Sequence, residues 1–413
     1  MEENKVNIPY GWNKKQFIEL VLKMRSGGTP KSDNPFYYDG NIPFASIEDL
    51  TNTNKYVSQT IKQITIEGLN SSSAWLVPEY SILYSIYATL GVPRINLIEL
   101  ATNQAILNII PNEKKITLEF LYYLLLEKRN TIIAHSAHTT QSNLNAKIVK
   151  ELEFTIPKST TEQQAIAAIL SKVDEAITQT QALIAKYNRV KTGLMQDLLT
   201  KGIDENGNIR SEETHEFKDS PLGRIPKEWE CFPLKSCIEL YNNLRKPISA
   251  IEREKIIGTY PYYGATGIID KINTFRVEGT FVLIGEDGDH FLKWKNHAQT
   301  ILASGRFNVS NHAHILKGTH KCITKWIHYF FLHRDIIFHL TRQGAGRFKL
   351  NKESLLNLPI LVPKGILEQE LIIKKIEQII FLINTQNTHS IKLQSLKTGL
   401  MQDLLSGKVR VNI

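Results

Sequence analysis

An identical nonapeptide, KTGLMQDLL, occupies residues 191–199 and residues 397–405. The two copies lie 206 positions apart in a chain of 413 residues, so the offset is half the chain. The same offset aligns further pairs without a gap: Tyr123 with Tyr329, Leu126 with Leu332, Leu144 with Leu350, Asn145 with Asn351, Pro157 with Pro363, Glu162 with Glu368 and Gln163 with Gln369. A repeat of this length predicts a tandem duplication, which constrains the fold more than any single motif.

Between the repeated segments lie two stretches that differ from each other. IPYGW at residues 8–12 is echoed by IPKEW at residues 225–229, so the two stretches begin alike. The sequence GGTPKSDNPFYYDGNIPFASIEDL, residues 27–50, has no counterpart in the second half. The order is therefore globule, repeated segment, globule, repeated segment. The two halves therefore share a similar framework, which we call the frame, and carry inserted segments that differ from each other.

Composition sets the outer bounds of the fold and of the partners. With 42% hydrophobic and 22% charged residues, the chain is expected to form two or three domains with hydrophobic cores. No apolar run approaches the roughly eighteen residues that span a bilayer, and the first residues do not resemble a signal peptide, so we expect no membrane and a cytoplasmic location. The net charge of +9 favours an anionic partner such as nucleic acid.

The repeated segments predict two long helices. Ser159 and Glu162 form a capping box before the first, and Gly202 and Gly407 follow the two apolar patterns where helices end. Apolar residues recur at steps of three and four, with polar interruptions such as Thr180, which predicts a heptad seam between the helices. The seam residues predicted are Ile166, Val173, Leu183, Tyr187, Val190, Leu194, Ile372, Ile379, Leu382, Leu393, Leu396 and Leu400.

The predicted fold is α/β (α+β), with two globular domains joined by two long antiparallel helices. A tandem duplication of this kind also predicts a pseudo-twofold relation between the halves. The expected segments are a first globule at residues 1–158, a central helix at 159–202, a polar linker at 203–219, a second globule at 220–364 and a distal helix at 365–407.

Several motifs together resemble one protein family. PKSTTEQQAIAAIL and VPKGILEQELIIKKI open the helices, and LMQDLLTKGI and LMQDLLSGKVRV close them. LATNQAIL in the first globule and YPYYGATGIIDKI, FVLIGEDG and SGRFNVSNHAHIL in the second complete the set. With these motifs, nearly the whole chain resembles the specificity subunit of Type I restriction-modification enzymes.

The resemblance implies a noncatalytic subunit that binds double-stranded DNA and reads a bipartite, asymmetric sequence. Each globule would then be a target recognition domain that reads one part of the sequence. The helices would space the domains and dock two methyltransferase subunits, and restriction subunits would join the complex. The resemblance implies that this chain needs no cofactor of its own.

Polar loop residues are the candidate DNA contacts. Arg carries paired donors that bind the guanine edge and Gln carries a donor and an acceptor that bind the adenine edge, whereas Lys more often meets phosphate. The TTQSNLN and QGAGRFKLN loops lie just before the Leu-Asn pair that both halves share, so they are repeat-equivalent and differ in polar content. The predicted contacts are Thr29, Lys31, Arg94, Thr140, Gln141, Ser142, Arg306, Gln343, Arg347 and Lys349.

Other fragments imitate catalytic or metal sites. We interpret LIGEDGDH, residues 283–290, as a strand followed by a turn, and the pair His312 and His314 as structural because no third ligand is evident. The cysteines Cys231, Cys237 and Cys322 form no CxxC pair, so neither a zinc site nor a disulfide framework is predicted. No cofactor loop or catalytic box is recognisable, and GATG lacks the Lys of a phosphate loop.

Two alternative functions remain open from the sequence. A coiled-coil scaffold for protein interactions would also have long seams, although it would not need two unlike polar inserts. A complete DNA methyltransferase would require an active site that the motifs do not reveal. A protein scaffold would differ from a recognition subunit in not binding DNA. A complete methyltransferase would differ in methylating DNA without a partner.

Overall fold

The computed structural model describes residues 8–137, 144, 146–343 and 347–412. Contacts divide the chain into two compact units. Unit 1 comprises residues 1–182 and 388–413, and unit 2 comprises residues 183–387. Each unit thus contains one globule, the beginning of one long helix and the end of the other. Within the described ranges, no helix combines the length and the apolar character required to cross a membrane.

Unit 1 is built from short strands and a few helices around its own core. Its strands are β1 (Trp12–Gln16), β2 (Val21–Ser26), β3 (Tyr38–Ala45), β4 (Tyr56–Val57), β5 (Lys62–Ile64), β6 (Ile82–Ser85), β7 (Pro93–Asn96), β8 (Ala101–Thr102), β9 (Ile106–Pro111) and β10 (Glu153–Pro157). Its helices are α1 (Ile47–Thr51), α2 (Ile66–Asn70), α3 (Leu118–Ala137), α4 (Ala146–Glu151) and the first part of α5 (Thr160–Leu198).

Unit 2 repeats this plan with different lengths. Its strands are β11 (Phe217–Ser220), β12 (Gly223–Pro226), β13 (Glu230–Pro233), β14 (Ile238–Leu240), β15 (Ile257–Tyr263), β16 (Ile268–Ile272), β17 (Val277–Gly285), β18 (Thr300–Val309), β19 (Ala313–Gly318), β20 (Thr341–Gln343), β21 (Arg347–Lys349) and β22 (Pro359–Val362). Its helices are α6 (Ala250–Lys255), α7 (Thr324–Phe331), α8 (Lys352–Leu356) and the first part of α9 (Ile366–Leu405).

The main sheets of the two units share a strand order. In unit 1 the order is β2-β9-β6-β7-β4, and in unit 2 it is β14-β19-β17-β18-β15-β16. In both sheets the second strand of this order pairs antiparallel with its two neighbours. A separate two-stranded pair, β1-β10 in unit 1 and β13-β22 in unit 2, leads into the long helix of each unit. The two globules are therefore copies of one frame.

The repeated nonapeptide supplies the same packing face to both cores. In unit 2, the end of α5 buries Met195, Leu198 and Leu199 in one cluster with Trp229 and Ile372. In unit 1, the end of α9 buries the equivalent Met401, Leu404 and Leu405 with Trp12 and Ile166. The end of each long helix thus packs against the start of the other, which is an antiparallel arrangement inside each unit. The same sequence is needed twice because it fills the same site twice.

A glycine follows each copy where the chain passes close to a tryptophan. Gly202 has φ +66° and Gly407 has φ +72°, a conformation that favours glycine after a helix. A Cβ at Gly202 would lie 2.5 Å from the Trp229 ring, and one at Gly407 would lie 3.0 Å from the Trp12 ring. Both positions therefore need glycine for conformation and for space.

Glu162 and Glu368 hold the two helix starts. In unit 1, Glu162 accepts hydrogen bonds from the Trp12 indole at 3.2 Å and from Arg410 at 2.7 and 2.9 Å. In unit 2, Glu368 accepts from the Trp229 indole at 3.2 Å and from Arg210 at 2.5 Å. Each arginine follows the end of the other long helix, so each unit is closed by the same kind of ion pair. Arg210 lies in the predicted polar linker, which is thus ordered at this point.

Gln163 and Gln369 repeat a second anchor. The Gln163 side chain accepts from the Thr117 amide at 2.8 Å and donates to the Lys115 carbonyl at 3.0 Å. Gln369 accepts from the Ile323 amide at 3.0 Å and donates to the Lys321 carbonyl at 2.9 Å. Both glutamines are fully buried, so each satisfies backbone groups that water cannot reach.

The predicted seam is wrong at three positions. Val190, Leu382 and Leu396 are 46%, 40% and 50% exposed. The predicted seam residues Ile166, Ile372 and Ile379 are buried, and Val173, Leu183, Tyr187, Leu194, Leu393 and Leu400 are half-buried. A strict heptad drifts by about 20° per repeat relative to a straight helix, so one seven-residue pattern does not follow the buried face along a helix of this length. Ile376, Ile383 and Ser390, which lie outside the prediction, are buried, as is Thr180, the polar interruption of the predicted seam.

Candidate nucleic-acid interface

Unit 1 gathers three loops at one edge of its main sheet, which we call edge 1 (residues 27–31, 86–91 and 102–105). The Gly28 amide donates to the Thr102 carbonyl at 2.9 Å, and the Ile86 amide donates to the Ala105 carbonyl at 2.9 Å. Thr29 donates from its hydroxyl to the Gln104 side chain. Edge 1 therefore joins the GGTPKS loop, the loop after β6 and the NQA segment before β9.

Edge 1 presents polar and aromatic side chains on a fixed backbone. Thr29, Lys31, Gln104 and Tyr87 are exposed. Ala88 has φ +59°, a conformation that is rare for residues other than glycine and that often occurs at functional sites. The edge thus combines hydrogen-bonding groups with a constrained loop, which is a suitable surface for reading a ligand.

Unit 2 gathers loops at the equivalent edge, which we call edge 2 (residues 245–246, 286–290, 311–312, 341–343 and 347–349). Glu286 follows β17, as residue 86 follows β6 in unit 1. Arg245 donates to the Glu286 carboxylate at 2.6 Å and to the Asn311 carbonyl at 3.2 Å. Lys349 lies 3.4 Å from the same carboxylate. Glu286 therefore ties three loops together.

Backbone contacts attach the β20-β21 hairpin to edge 2. The Gly288 amide donates to the Phe348 carbonyl at 3.2 Å, and the Leu350 amide donates to the Glu286 carbonyl at 2.7 Å. Gln343 and Arg347 face each other across the hairpin in the strand register. The hairpin thus extends from a base that is fixed to the sheet.

Electrostatics keep Glu286 charged. Burial disfavours its ionised form, but the hydrogen bond from Arg245 and the nearby Lys349 ammonium outweigh burial and hold the pKa of Glu286 below its ordinary value. His314 is buried; its Nε2 lies 2.8 Å from the Leu350 carbonyl oxygen and its Nδ1 lies 2.9 Å from the Asn242 amide nitrogen. Burial lowers the pKa of His314, so the neutral imidazole is favoured. The cluster is a fixed support for the loops.

The predicted contacts fall into different places. Thr29 and Lys31 lie at edge 1, and Gln343, Arg347 and Lys349 lie at edge 2. Thr140, Gln141 and Ser142 lie outside the described residues. The structure therefore brings together a loop after β2 or β14 with the segment before β9 or β19 in each unit.

Two predicted contacts do not lie at the edges. Arg94 is half-buried in β7, and its Nε donates to the Leu50 and Thr53 carbonyls at 2.9 and 2.7 Å. Arg306 lies opposite Glu278, with which it forms an ion pair at 3.0 Å, near the start of β17. Eight residues separate Glu278 from Glu286, which is roughly 25 Å along a strand. Arg94 and Arg306 therefore lie outside edge 1 and edge 2.

Three edge residues were missed by sequence reasoning: Gln104, Arg245 and Glu286. Gln104 had a detectable signal, because NQAIL and NHAHIL place a polar residue, Gln104 or His312, after an asparagine at the start of an equivalent strand in both globules. Arg245 and Glu286 had no such signal, because they are brought together by pairing between strands distant in sequence.

The segment LIGEDGDH is a strand followed by a turn. β17 ends at Gly285, and Gly288 has φ +132°. His312 lies 3.0 Å from the Asp287 carboxylate at the surface, whereas His314 is buried in β19, so the two histidines occupy different environments. Among the residues that the structure describes, no cluster of three or more His, Cys, Asp or Glu is arranged to hold a metal ion.

Comparison with known proteins gives the family. The sequence model of the Type I restriction modification DNA specificity domain matches twice, at residues 9–188 and 226–394. The chain is a Type I DNA specificity subunit. The two matches correspond to the two copies of the duplicated frame, so the family assignment and the repeat rest on the same residues. As such a subunit, the chain is the noncatalytic DNA-recognition component of a restriction-modification system.

Curated relatives agree with this assignment, and solved structures agree with the fold. The specificity subunit is 26% identical over 425 residues to the MjaIX specificity subunit of Methanocaldococcus jannaschii, covering 98% of this chain and 95% of the relative. It is 32% identical over 161 residues to a putative specificity subunit of Haemophilus influenzae, covering 38% of each. The crystal structure of the S subunit from M. genitalium has a TM-score of 0.60 at 15% identity and covers 100% of this chain and 99% of that one.

The fold prediction is confirmed by these findings. The specificity subunit has two α/β domains joined by the long helices α5 and α9, which pack together. A second solved structure, from work on complex assembly and conformational transition of the type I R-M system, has a TM-score of 0.60 and 16% identity. It covers 97% of this chain and 99% of that one. The alternatives of a scaffold and of a complete methyltransferase are not supported by the family.

Proposed function

We propose that edge 1 and edge 2 each read one part of a bipartite, asymmetric DNA sequence. The observation that carries this proposal is that two copies of one sheet present equivalent edges with different side chains. Edge 1 offers Thr29, Lys31 and Gln104, whereas edge 2 offers a basic hairpin supported by Glu286. The same frame with different polar groups reads different bases, since base identity is recognised by hydrogen-bonding groups in the grooves.

The recognition domains proposed are residues 1–158 and 220–364, with helices at 159–202 and 365–407 and a linker at 203–219. Lys31 at edge 1 and Lys349 at edge 2 are proposed to lie against the DNA backbone. The Lys349 ammonium also forms an ion pair with the Glu286 carboxylate at 3.4 Å. Thr29, Gln343 and Arg347 are proposed base contacts, as are Thr140, Gln141 and Ser142. Because the ligand is DNA, we place the protein in the cytoplasm.

Two methyltransferase subunits are proposed to dock on the long helices, and restriction subunits to join the complex. Val190 and Leu396 are equivalent under the repeat, and both are exposed although they are apolar. Val190 lies in unit 2 and Leu396 in unit 1, so each unit presents one copy of this position. Exposed apolar residues at matched places are suited to two copies of the same partner.

The docking proposal is tested by counting subunits. Val190→Glu and Leu396→Glu are each expected to lower the methyltransferase content of the complex from two copies to one, measured by native mass spectrometry. The double variant is expected to bind none. Lys186→Glu, an exposed change of charge on α5 at a polar position, serves as a control for charge alone. Two copies retained in both single variants would contradict this docking surface.

The reading proposal is tested by assembling the chain with a methyltransferase subunit and mapping methylated adenines. The chain alone is expected to bind DNA but not to methylate it, and the assembled complex is expected to methylate one bipartite sequence. Substituting Gln104 with Ala is expected to relax only the part read by unit 1. If Gln104→Ala relaxed both parts or neither, edge 1 would not be an independent reader.

A further inference from the structure

Phe338 is the most exposed large apolar side chain among the described residues of unit 2, at 97% exposed. Ile257, at 72%, follows it in that unit. Nearly complete exposure of a phenylalanine leaves a large apolar surface in water, so it is informative when the residue lies beside a binding surface.

The backbone around Phe338 is fixed. The Ile337 amide donates to the Asp335 carboxylate at 3.0 Å, and the amides of His339 and Leu340 donate to the carbonyls of Ile336 and Ile337 at 2.9 and 3.1 Å. Ile336 is buried in the core cluster of unit 2. The turn at Ile337–His339 therefore presents the Phe338 ring from an anchored base rather than from a loose loop.

The exposed turn is specific to unit 2. Under the repeat, residue 338 corresponds to residue 132, and Ile132 is 2% exposed within α3. In unit 1, α3 continues to Ala137, whereas in unit 2 α7 ends at Phe331 and the chain turns outward. The exposure of Phe338 thus belongs to the part of unit 2 that differs from the shared frame.

Phe338 lies in a basic stretch of the sequence. Residues 332–349 contain Arg342, Arg347 and Lys349 but only one acidic residue, Asp335; a fourth cation, Arg334, packs against the Phe330 ring at 3.8 Å. Arg342 is exposed, and its guanidinium lies 5.3 Å from the centre of the Phe348 ring at the hairpin base. Phe338 lies three residues before the hairpin of edge 2. An apolar side chain flanked by cations is complementary to DNA, which places stacked bases between phosphates.

We propose that Phe338 contacts the bases of the half-site read by unit 2 as an apolar wedge that partly unstacks a base step. This inference rests on the proposed function, because it requires that edge 2 lies against DNA. Wedges of this kind kink the duplex, and pyrimidine-purine steps unstack most easily. Phe338 would therefore favour a flexible step at its position in addition to the hydrogen bonds made by the hairpin.

The test uses the complex with a methyltransferase subunit and a duplex that contains its mapped sequence. Phe338→Ala is expected to weaken specific binding by about 5- to 150-fold, the range that corresponds to about 1–3 kcal/mol for an aromatic contact with a base. The salt dependence of binding should not change, because phenylalanine neutralises no phosphate. Arg342→Gln is expected instead to lower the salt slope by about one.

A base analogue locates the contact. 2-Aminopurine placed in turn at the steps of the half-site is expected to brighten on binding at one step with the parent complex, and to remain quenched with Phe338→Ala. Ile257→Ala is the matched control, because Ile257 is also exposed in unit 2 but lies away from edge 2. Ile257 begins β15, whereas Tyr263 at the other end of that strand accepts a hydrogen bond from the Ser310 amide near edge 2. Thermal midpoints confirm that the variants fold.

The outcomes separate the wedge from the function on which it rests. Equal binding by Phe338→Ala, Ile257→Ala and the parent, with a changed salt slope in Arg342→Gln, would overturn the wedge and leave edge 2 as a DNA surface. Brightening that persists in Phe338→Ala would overturn it as well. Parent-like binding in all three variants would contradict the assignment of edge 2 to DNA.

Discussion

The two units use one frame but differ in the segment that follows the shared anchor. Gln163 and Gln369 bind the same backbone positions, at Thr117 and Ile323, just before α3 and α7. From there α3 continues from Leu118 to Ala137, whereas α7 ends at Phe331 and gives way to a turn and a basic hairpin. Contacts with the long helices are thus held constant, while the parts farther along the chain vary. A duplicated protein can in this way change what each half binds without changing how each half is held.

The largest expected effect comes from the repeated nonapeptide. Leu198→Ala is expected to destabilise unit 2, and Leu404→Ala unit 1, by about 2–5 kcal/mol each, because both leucines are buried and the substitution leaves a cavity. Hydrogen-deuterium exchange resolves the two units and shows which one loses protection. Val190→Ala, exposed on α5, is the control and should cost less than about 0.5 kcal/mol. Loss of protection in residues 8–137 after Leu198→Ala would contradict the packing described.

The next largest expected effect is a difference in acid sensitivity, because unit 2 should lose more stability than unit 1 as pH falls. Burial lowers the pKa of His328 from 6.5 to about 4, and its Nδ1 lies 3.0 Å from the Thr300 hydroxyl. The folded state therefore favours the neutral ring, so the unfolded state binds more protons between pH 6.5 and about 4 and unit 2 loses stability as pH falls through that range. The loss is at most roughly 3 kcal/mol. The repeat-equivalent residue in unit 1 is Tyr122, whose pKa burial raises to about 12, so it does not titrate there.

Exchange measurements across this pH range test the difference. His328→Gln is expected to reduce the acid sensitivity of unit 2 and to leave the pH response of unit 1 unchanged. His339→Gln, an exposed histidine of the same unit, is the matched control and should alter neither response. Equal sensitivity of the parent and His328→Gln would show that this histidine does not carry the effect.

The smallest expected effect is a difference in stability contribution between the two ion pairs that close the units, Arg210–Glu368 and Arg410–Glu162. The Arg210 side chain is 11% exposed and that of Arg410 is 40% exposed. Removing either arginine leaves a largely buried carboxylate, which is 17% exposed for Glu368 and 4% exposed for Glu162. Arg210→Met is expected to cost about 2 kcal/mol, and Arg410→Met is expected to cost more, because Glu162 is the more deeply buried acceptor whereas Glu368 also accepts from the Ile203 amide. Denaturant unfolding with exchange detection ranks the two variants, and a larger loss from Arg210→Met would reverse the comparison.

The repeat explains why so much of the frame could be predicted from sequence. Matched residues such as Glu162 and Glu368, or the two nonapeptides, fix equivalent helices, helix ends and capping positions without knowledge of distant contacts. The seam was predicted less well, because Val190, Leu382 and Leu396 follow the heptad but not the buried face. The surroundings of Arg94 could not be predicted either: only the fold shows that its guanidinium donates to the Leu50 and Thr53 carbonyls.

The candidate site depended most on tertiary pairing. Glu286 joins Arg245 and Lys349, which are 41 positions before it and 63 positions after it, and no local pattern links them. Phe338 likewise looks like an ordinary apolar residue in the sequence. Only the structure shows that its side chain is exposed. Functional loops therefore needed the structure, whereas the frame that supports them did not.

The central claim is that the two units read separate parts of the DNA sequence. The most direct measurement replaces residues 1–158 with the corresponding domain of another specificity subunit, assembles the hybrid with a methyltransferase subunit and maps methylated adenines. A hybrid that methylates DNA is expected to recognise a sequence in which one part is new and the other part is that of the parent. Methylation of a sequence in which both parts have changed, or in which neither has, would contradict independent reading by the two units.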